Sequence, residues 1–185
     1  MLLPTGAGEP RQITHEGIRR RDVCLFPDGK RIAYVGIEAG HQPRVYIQSA
    51  EDAAPPRPIT PEGMTGAIAC SPDGNSVVLS SGQLWIIPVS GDSPRRIPNT
   101  EGTNFIAGWS ADGQFLYSFH LGELRSKLFR VAIASGEHVP VKEIAPADPS
   151  GAGPIRQIHT TANLSAYIYG FARDLNELYV VEGLK

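Results

Sequence analysis

The chain has 185 residues, of which 41% are hydrophobic, and it contains 20 glycines and 16 prolines. Its 17 basic and 19 acidic side chains leave a formal net charge of −2, which gives no global electrostatic basis for binding nucleic acid or an anionic membrane. No apolar run reaches the ~20 residues that a membrane helix needs, and the first residues lack the charged and apolar parts of a signal peptide. We therefore expect a soluble, untargeted chain that does not insert into a membrane, and the compartment stays open.

Three short motifs recur in a fixed order along the chain: a turn between two apolar runs, an aliphatic–aromatic pair, and a basic or polar segment that ends in isoleucine. The turns are Phe26-Pro27-Asp28-Gly29, Ser71-Pro72-Asp73-Gly74 and Ser110-Ala111-Asp112-Gly113. The pairs are Val45-Tyr46, Leu84-Trp85, Leu128-Phe129 and Leu178-Tyr179. The segments end at Ile13, Ile59, Ile97 and Ile144.

The chemistry of the turn predicts a β-hairpin. Proline presets φ at the first central position, aspartate bonds its own downstream backbone, and glycine accepts a positive φ. The apolar runs on both sides then form two strands, the aliphatic–aromatic pair opens a third strand, and the isoleucine segment forms a fourth. Four short antiparallel strands in about 40–50 residues are typical of a β-propeller blade. A β-sandwich would explain the strands, but it would not explain the ordered return of three motifs.

In chain order, this predicts one all-β propeller region over residues 1–185. Residues 1–14 supply a strand of a partial blade, and residues 19–61, 63–98 and 103–145 form three complete blades. Residues 155–185 form a partial last blade, whose turn at residues 162–165 has lost the Pro-Asp-Gly chemistry. Between the last two blades, residues 146–154 form a flexible loop.

Two arrangements of the ends stay open. The segment around Ile13 could lie beside residues 177–182 and complete the last blade, which would close a small four-bladed ring without open sheet edges. However, Leu2 and Leu3 look like the tail of another third strand, which would be surplus in that ring. On this ground we favour a fragment of a larger ring.

The two cysteines, Cys24 and Cys70, show no paired spacing. A disulfide framework or a zinc site would need more cysteines than these. Free cysteine is commonly a small buried hydrophobic residue, so we expect two buried thiols.

The turns, together with the run Lys30-Arg31-Ile32-Ala33-Tyr34-Val35 that follows the first of them, resemble the TolB-type, WD40-like propeller repeat over nearly the whole chain. Residues 174–184 resemble the C-terminus of large bacterial proteins in which a serine/threonine kinase domain precedes a propeller. This resemblance implies a non-catalytic sensor or docking module of a membrane-anchored parent, which would be extracytoplasmic. Such propellers also accompany hydrolase domains in prolyl-peptidase-like enzymes, so an accessory role beside a hydrolase is the alternative.

The residues themselves predict no catalysis, metal or cofactor. The glycine-rich loop, strand lysine and metal-binding Asp-Phe-Gly of a kinase are absent from the sequence. Ser110 holds the same repeat position as Ser71 and Phe26, so we interpret it as a turn residue rather than a nucleophile. The five histidines are scattered and match no ligand spacing: His15, His41, His120, His138 and His159.

A rim of loops is the predicted binding surface. In a propeller, the loops before the inner strands and those between second and third strands gather on one rim, opposite the Pro-Asp-Gly hairpins. Recognition residues concentrate on such loops, and arginine is favoured at contact hot spots. The expected members are Arg19, Arg20 and Arg21 before an inner strand, and His120, Glu123, Arg125, Arg173 and Asp174 in the other connections. We expect this rim to bind a protein or peptide partner.

Overall fold

A computed structural model describes residues 6–10, 12–13, 17–52, 54–102 and 105–174. Within these residues the chain forms fourteen strands and no helix, and thus no helix that could span a membrane. Every strand pair is antiparallel, and strands that are consecutive within a sheet are neighbours. The predicted all-β fold built from four-stranded blades is confirmed.

Three sheets have four strands each and are numbered here as blades 1 to 3. Blade 1 consists of β1 (Ile18–Leu25), β2 (Arg31–Glu38), β3 (Arg44–Ser49) and β4 (Arg57–Pro58). Blade 2 consists of β5 (Ala67–Cys70), β6 (Ser76–Ser80), β7 (Leu84–Pro88) and β8 (Arg95–Arg96). Blade 3 consists of β9 (Phe105–Trp109), β10 (Phe115–Phe119), β11 (Ser126–Ala132) and β12 (His138–Ile144). Blade 4 is described for two strands, β13 (Ala152–Thr160) and β14 (Tyr167–Arg173).

The predicted hairpin turn connects the first strand of each blade to the second. The carboxylate of Asp73 accepts hydrogen bonds from the Ser71 hydroxyl at 2.5 Å and the Asn75 amide at 3.0 Å. Asp112 repeats this pattern with Ser110 and Gln114, and Asp28 accepts from the amides of Lys30 and Arg31. The glycines that follow the aspartates have φ between 68° and 71°, as this turn requires.

The hairpins of the first three blades lie on one rim. The Arg31 guanidinium donates to the Gly74 carbonyl at 3.2 Å, which joins the turns of blades 1 and 2. In the same way, a side chain built on Gly113 would lie 3.5 Å from the Pro72 ring, so the turns of blades 2 and 3 are also neighbours. This arrangement agrees with the equivalence of the repeats.

The turn of blade 4 lacks the Pro-Asp-Gly sequence, yet it forms hydrogen bonds equivalent to those of blades 2 and 3. Asn163 Oδ1 accepts from the Thr161 hydroxyl at 2.9 Å and the Ser165 amide at 3.1 Å, as Asp73 and Asp112 do in blades 2 and 3. Leu164 takes the glycine position with a φ of 57°. A left-handed conformation costs a non-glycine residue about 1–2 kcal/mol, and packing of Leu164 against the core of blades 3 and 4 offsets this cost.

The core lies between the blades rather than within them. Alternate residues of each second strand point to the preceding and the following blade, because side chains alternate across a strand. Ala33 and Val35 of blade 1 thus pack against Val77 and Leu79 of blade 2. The next junction contains Val78 and Leu116, and the third contains Tyr117, Phe119 and Ile158. The recurring isoleucines complete these junctions and are all buried: Ile59, Ile97 and Ile144.

Ile13 fills the same role on the other face of blade 1. It packs against Tyr34 and Tyr46, and its carbonyl accepts a hydrogen bond from Gln48 Nε2 at 2.7 Å. The predicted pairing of the Ile13 segment with residues 177–182 falls outside the described residues. Ring closure and the larger-ring alternative therefore both stay predictions, as do the blade bounds over residues 1–14 and 175–185.

The two cysteines contradict the prediction of free buried thiols. Cys24 on β1 and Cys70 on β5 form a disulfide between blades 1 and 2, with their Cα atoms 5.7 Å apart. Both residues are half-buried. Spacing along the chain could not reveal this pair, because the two positions meet only when one blade stacks on the next.

Apolar side chains are exposed at both ends of the described stack. Ile168 on β14 is 69% exposed, although the equivalent residues of the other blades are buried. These equivalents are Ala33, Val78 and Tyr117. Val23 and Leu25 on β1 are also largely exposed, on the face that points away from blade 2. The described residues therefore leave two blade faces partly uncovered.

We expect the stability of the fold to fall in acid because of the turn aspartates. Hydrogen bonds lower the pKa of Asp28, chiefly from the Lys30 amide, and the pKa values of Asp73 and Asp112, chiefly from Ser71 and Ser110. A carboxylate with a lowered folded-state pKa stabilises the fold above its unfolded pKa, and this contribution is lost as the pH falls through the folded pKa. The urea midpoint, followed by tryptophan fluorescence, should hold from pH 7 to about 5 and decrease below about pH 4.

The double variant Asp73→Asn/Asp112→Asn provides the control. Asparagine keeps the acceptor oxygen and occupies the same position in blade 4, so these turns should still form. The variant should lose part of the acid dependence and keep the remainder, since Asp28, Glu62 and Asp148 also have lowered pKa values. An acid response identical to that of the wild type would contradict the role of these turns.

We expect Ile13→Ala to lower the free energy of unfolding by about 2–4 kcal/mol, because a buried isoleucine is lost against blade 1. Ile97→Ala, at the equivalent position between blades 2 and 3, should cost a similar amount in the same urea titration. Wild-type stability of Ile13→Ala, together with a large loss for Ile97→Ala, would show that the Ile13 contact does not form in solution.

Candidate binding site at the propeller axis

The innermost strands of the four blades lie side by side in chain order and line one cavity. β1 is adjacent to β5, β5 to β9, and β9 to β13. The cavity between them has a volume of about 300 Å³ and is open to solvent. All four blades therefore contribute to one site.

Three of these inner strands carry a β-bulge, in which one residue of the strand is left without a partner. These bulges lie at Asp22 in β1, Ala107 in β9 and Arg156 in β13, and β13 has a second irregularity between Ala152 and Ile155. Asp22 has a φ of 37°, which aspartate tolerates better than most residues. Because a bulge redirects side chains and is common beside functional sites, the positions of Asp22 and Arg156 in the cavity lining are a specific feature of this fold.

The cavity combines an apolar floor with charged walls. Phe105 and Phe119 contact each other with ring centroids 5.8 Å apart, and Ile68, Ile106 and Ile158 extend this surface. Asp22, Arg156 and His159 supply exposed polar groups on β1 and β13. Such a lining can bury an apolar group and pair with charges on either side of it.

The three arginines differ from the predicted loop position, because they lie inside β1. Arg20 packs over the buried Tyr34 ring, with its guanidinium carbon 5.0 Å from the ring centroid, and donates to the Ile18 carbonyl at 2.9 Å. Burial raises the pKa of Tyr34, and the nearby Arg20 charge partly opposes this shift. Arg20 is thus mainly a packing residue, whereas Arg19 and Arg21 lie on the opposite face of β1 and are exposed.

The loop from residue 120 to residue 125 connects β10 and β11, as predicted for His120, Glu123 and Arg125. The His120 ring packs edge-on against Phe129 at 5.4 Å, and Arg125 pairs with Glu143 at 3.2 Å. The Glu123 carbonyl accepts a hydrogen bond from the Ile155 amide, which holds the loop against β13. The loop is therefore continuous with blade 4.

Arg173 is the last residue of β14, whereas the prediction placed it in the connection that follows this strand. Its guanidinium pairs with the Asp148 carboxylate at 3.1 Å and donates to the Asp148 carbonyl at 2.7 Å. The Asp174 amide donates to the Gly151 carbonyl, next to the start of β13. The structure therefore brings Arg173 and Asp174 to the same end of blade 4 as the β10–β11 loop. The arginines of β1 lie apart from this group, in blade 1.

A second group of charges braces the connection between β2 and β3. Arg44 pairs with Glu38 at 3.1 Å, and His41 Nδ1 lies 2.7 Å from Glu62 Oε1. The hydrogen bond with His41 is the main cause that lowers the pKa of Glu62. These contacts fix the shape of the rim beside blade 1.

Over the residues that the structure describes, no three His, Cys, Asp or Glu side chains converge as metal ligands.

Sequence patterns did not indicate Asp22, Arg156 or Gln157 as site residues, and His159 was interpreted as one of five scattered histidines. No turn or motif marks these positions, because their place in the cavity lining depends on bulges and on the curvature of the stack. Both β1 and β13 contain several other polar residues, so no sequence signal singles these positions out.

Comparison with known proteins supports the fold. No protein-family model matches the chain, and no curated protein does so at a significant level. Among solved structures, a putative TolB from Agrobacterium tumefaciens is 19% identical with a TM-score of 0.64, covering 82% of this chain and 56% of that one. TolB from Acinetobacter baumannii is 17% identical with a TM-score of 0.59, covering 77% and 41%. A nidogen/laminin complex gives 13% identity and a TM-score of 0.61, covering 83% and 57%.

These similarities show that the chain has a β-propeller fold, similar to that of TolB. At such low identity, these similarities show the fold and not a function. The chain spans about half the length of the solved structures that it matches, at 41% to 57% of their chains.

Substitutions of the arginines in β1 should separate packing from surface roles. Arg20→Ala should lower the free energy of unfolding by about 1–2 kcal/mol, because the cation–π contact with a buried ring is lost. The double reversal Arg19→Glu/Arg21→Glu should change it by less than about 0.5 kcal/mol, as expected for exposed positions. Urea unfolding measures both variants, and equal losses would contradict the placement of Arg20 on Tyr34.

Proposed function

We propose that the chain is a non-catalytic interaction module that binds a protein or peptide partner at the propeller axis and the adjoining rim. The supporting observation is the cavity that inner strands from four blades form together, with an aromatic floor between Asp22 and Arg156. A rigid scaffold that positions a few apolar and charged groups is the usual basis of recognition.

The dimensions of the cavity suit part of a peptide. Its volume of about 300 Å³ lies at the lower end of the range for pockets that enclose a small ligand. One or two apolar side chains of a partner would fill it and contact Phe105, which the buried Phe119 supports from below. Polar or charged groups on either side of this anchor would then pair with Asp22 and Arg156.

The turn geometry supports a role without bond chemistry. The Ser110 hydroxyl donates to Asp112 at 2.6 Å and accepts from the Phe115 amide at 3.0 Å, and the side chain is buried. A hydroxyl that is occupied in this way is a turn element. Phosphorylation or hydrolysis of any substrate by the purified chain would overturn the proposal.

The parent that we propose is a bacterial signalling protein with a kinase domain. The support is the resemblance of residues 174–184, of which only Asp174 lies among the described residues. A structural neighbour, nidogen, was solved in a complex with laminin, so a propeller neighbour of this chain occurs in a protein complex. A hydrolase domain in the same reading frame would instead favour the accessory role beside a hydrolase.

Charge changes in the cavity should weaken binding of peptides selected on the full chain from a random phage-displayed library. We expect Arg156→Glu and Asp22→Asn each to raise the Kd of the selected peptides at least about tenfold, because each removes a charge that a partner would pair with. Isothermal titration with synthetic peptides measures the effect, and the melting temperature should stay within about 2 °C of wild type.

Arg95→Glu is the matched control, because Arg95 is an exposed arginine on the rim of the Asp73 and Asp112 turns. This reversal should leave the Kd unchanged. Peptides that are weakened by Arg95→Glu and not by the cavity variants would place the binding surface on the opposite rim and contradict the axial site.

A further inference from the structure

One pair of positions on the inner strands meets at each of the three junctions between the described blades. Cys24 and Cys70 form this pair between blades 1 and 2. Between blades 2 and 3, the Trp109 indole Nε1 donates to the Ala69 carbonyl at 3.3 Å. Between blades 3 and 4, a side chain built on Gly108 would lie 2.8 Å from Thr160 Oγ1.

Strand registers show that these three pairs are equivalent. The first member of each pair lies opposite the same position of its own second strand: Cys24 opposite Ala33, Ala69 opposite Val78, and Gly108 opposite Tyr117. The second members follow one rule as well: Cys70 opposite Val77, Trp109 opposite Leu116, and Thr160 opposite Tyr167. The repeat therefore brings these two positions together whatever residues they carry.

We infer that the Cys24–Cys70 disulfide is a native staple between blades and that this propeller works in an oxidising compartment. The two Cα atoms lie 5.7 Å apart, which is within the range of protein disulfides, and the equivalent positions at the other two junctions meet without a bond. Disulfides persist in oxidising compartments and are rare where thioredoxin and glutathione keep thiols reduced.

Formation of the staple is a two-electron oxidation. The two thiols lose two protons and two electrons as the S–S bond forms, and a disulfide of an oxidoreductase or of oxidised glutathione accepts them and becomes two thiols. Both cysteines are half-buried on the inner strands, beside the cavity residues Val23 and Ile68. The bond therefore ties two walls of the axial cavity together.

The oxidation state in the source cells tests the compartment. Cells are quenched in acid, free thiols are blocked with a maleimide–polyethylene glycol reagent, and the chain is detected on a non-reducing gel. We expect no shift, and two added reagent molecules only after reduction. Two added molecules without prior reduction would overturn the proposed compartment.

Thermal unfolding tests the staple. The cross-link joins residues 46 positions apart, and a loop of this size predicts that reduction lowers the melting temperature by roughly 8–15 °C. A phosphine reductant should produce this shift in the wild type and no shift in Cys24→Ala/Cys70→Ala.

Reduction of the wild type keeps both side chains, so it measures the bond even if the double variant fails to fold. A melting temperature that is unchanged when mass spectrometry confirms complete reduction would overturn the staple. Neither measurement uses a binding partner, so failure of the proposed function would leave both results intact.

Discussion

A four-stranded blade carries apolar side chains on both of its faces, and a single sheet cannot bury either face by itself. The rest of this structure depends on that constraint. Blade 2 places Val77 and Leu79 against blade 1 and Val78 against blade 3, so its second strand belongs to two cores at once. The isoleucine at the end of each unit closes the same junctions. Stacking then places the first strand of each blade at the axis, which creates the cavity.

The parts of the fold that depend on local chemistry could be predicted from the sequence. Aspartate and glycine at the hairpins act within a few residues, so the turns and the four-strand unit follow from the motifs. The parts that depend on stacking could not. Cys24 and Cys70 meet across a junction, Arg20 lies on Tyr34 instead of in a loop, and the bulge at Asp22 depends on the pairing of β1 with β2. The turn with Asn163 and Leu164 forms equivalent hydrogen bonds without the Pro-Asp-Gly sequence, so the motif alone does not reveal this turn.

The site that we propose includes a loop that the repeat predicts and cavity residues that depend on the stacking of blades. The loop with His120 lies where the repeat predicts it, whereas Arg173 ends β14. Ion pairs with neighbouring residues hold Arg125 and Arg173. The charges that line the cavity come instead from the inner strands β1 and β13. A surface built on strands is more rigid than one built on loops, and less conformational entropy is lost when a partner binds to it.

The outer strands differ greatly in length, and this has a consequence for self-association. β4 and β8 have two residues each, whereas β12 has seven and presents the longest outer edge in the described part of the chain. An open edge invites another chain to add a strand, and proline and lysine discourage this. β12 carries Pro140 and the exposed Lys142 in its middle. β4 consists of one arginine and one proline, and β8 consists of two arginines. The outer edges of blades 1 to 3 thus resist edge-to-edge pairing between copies.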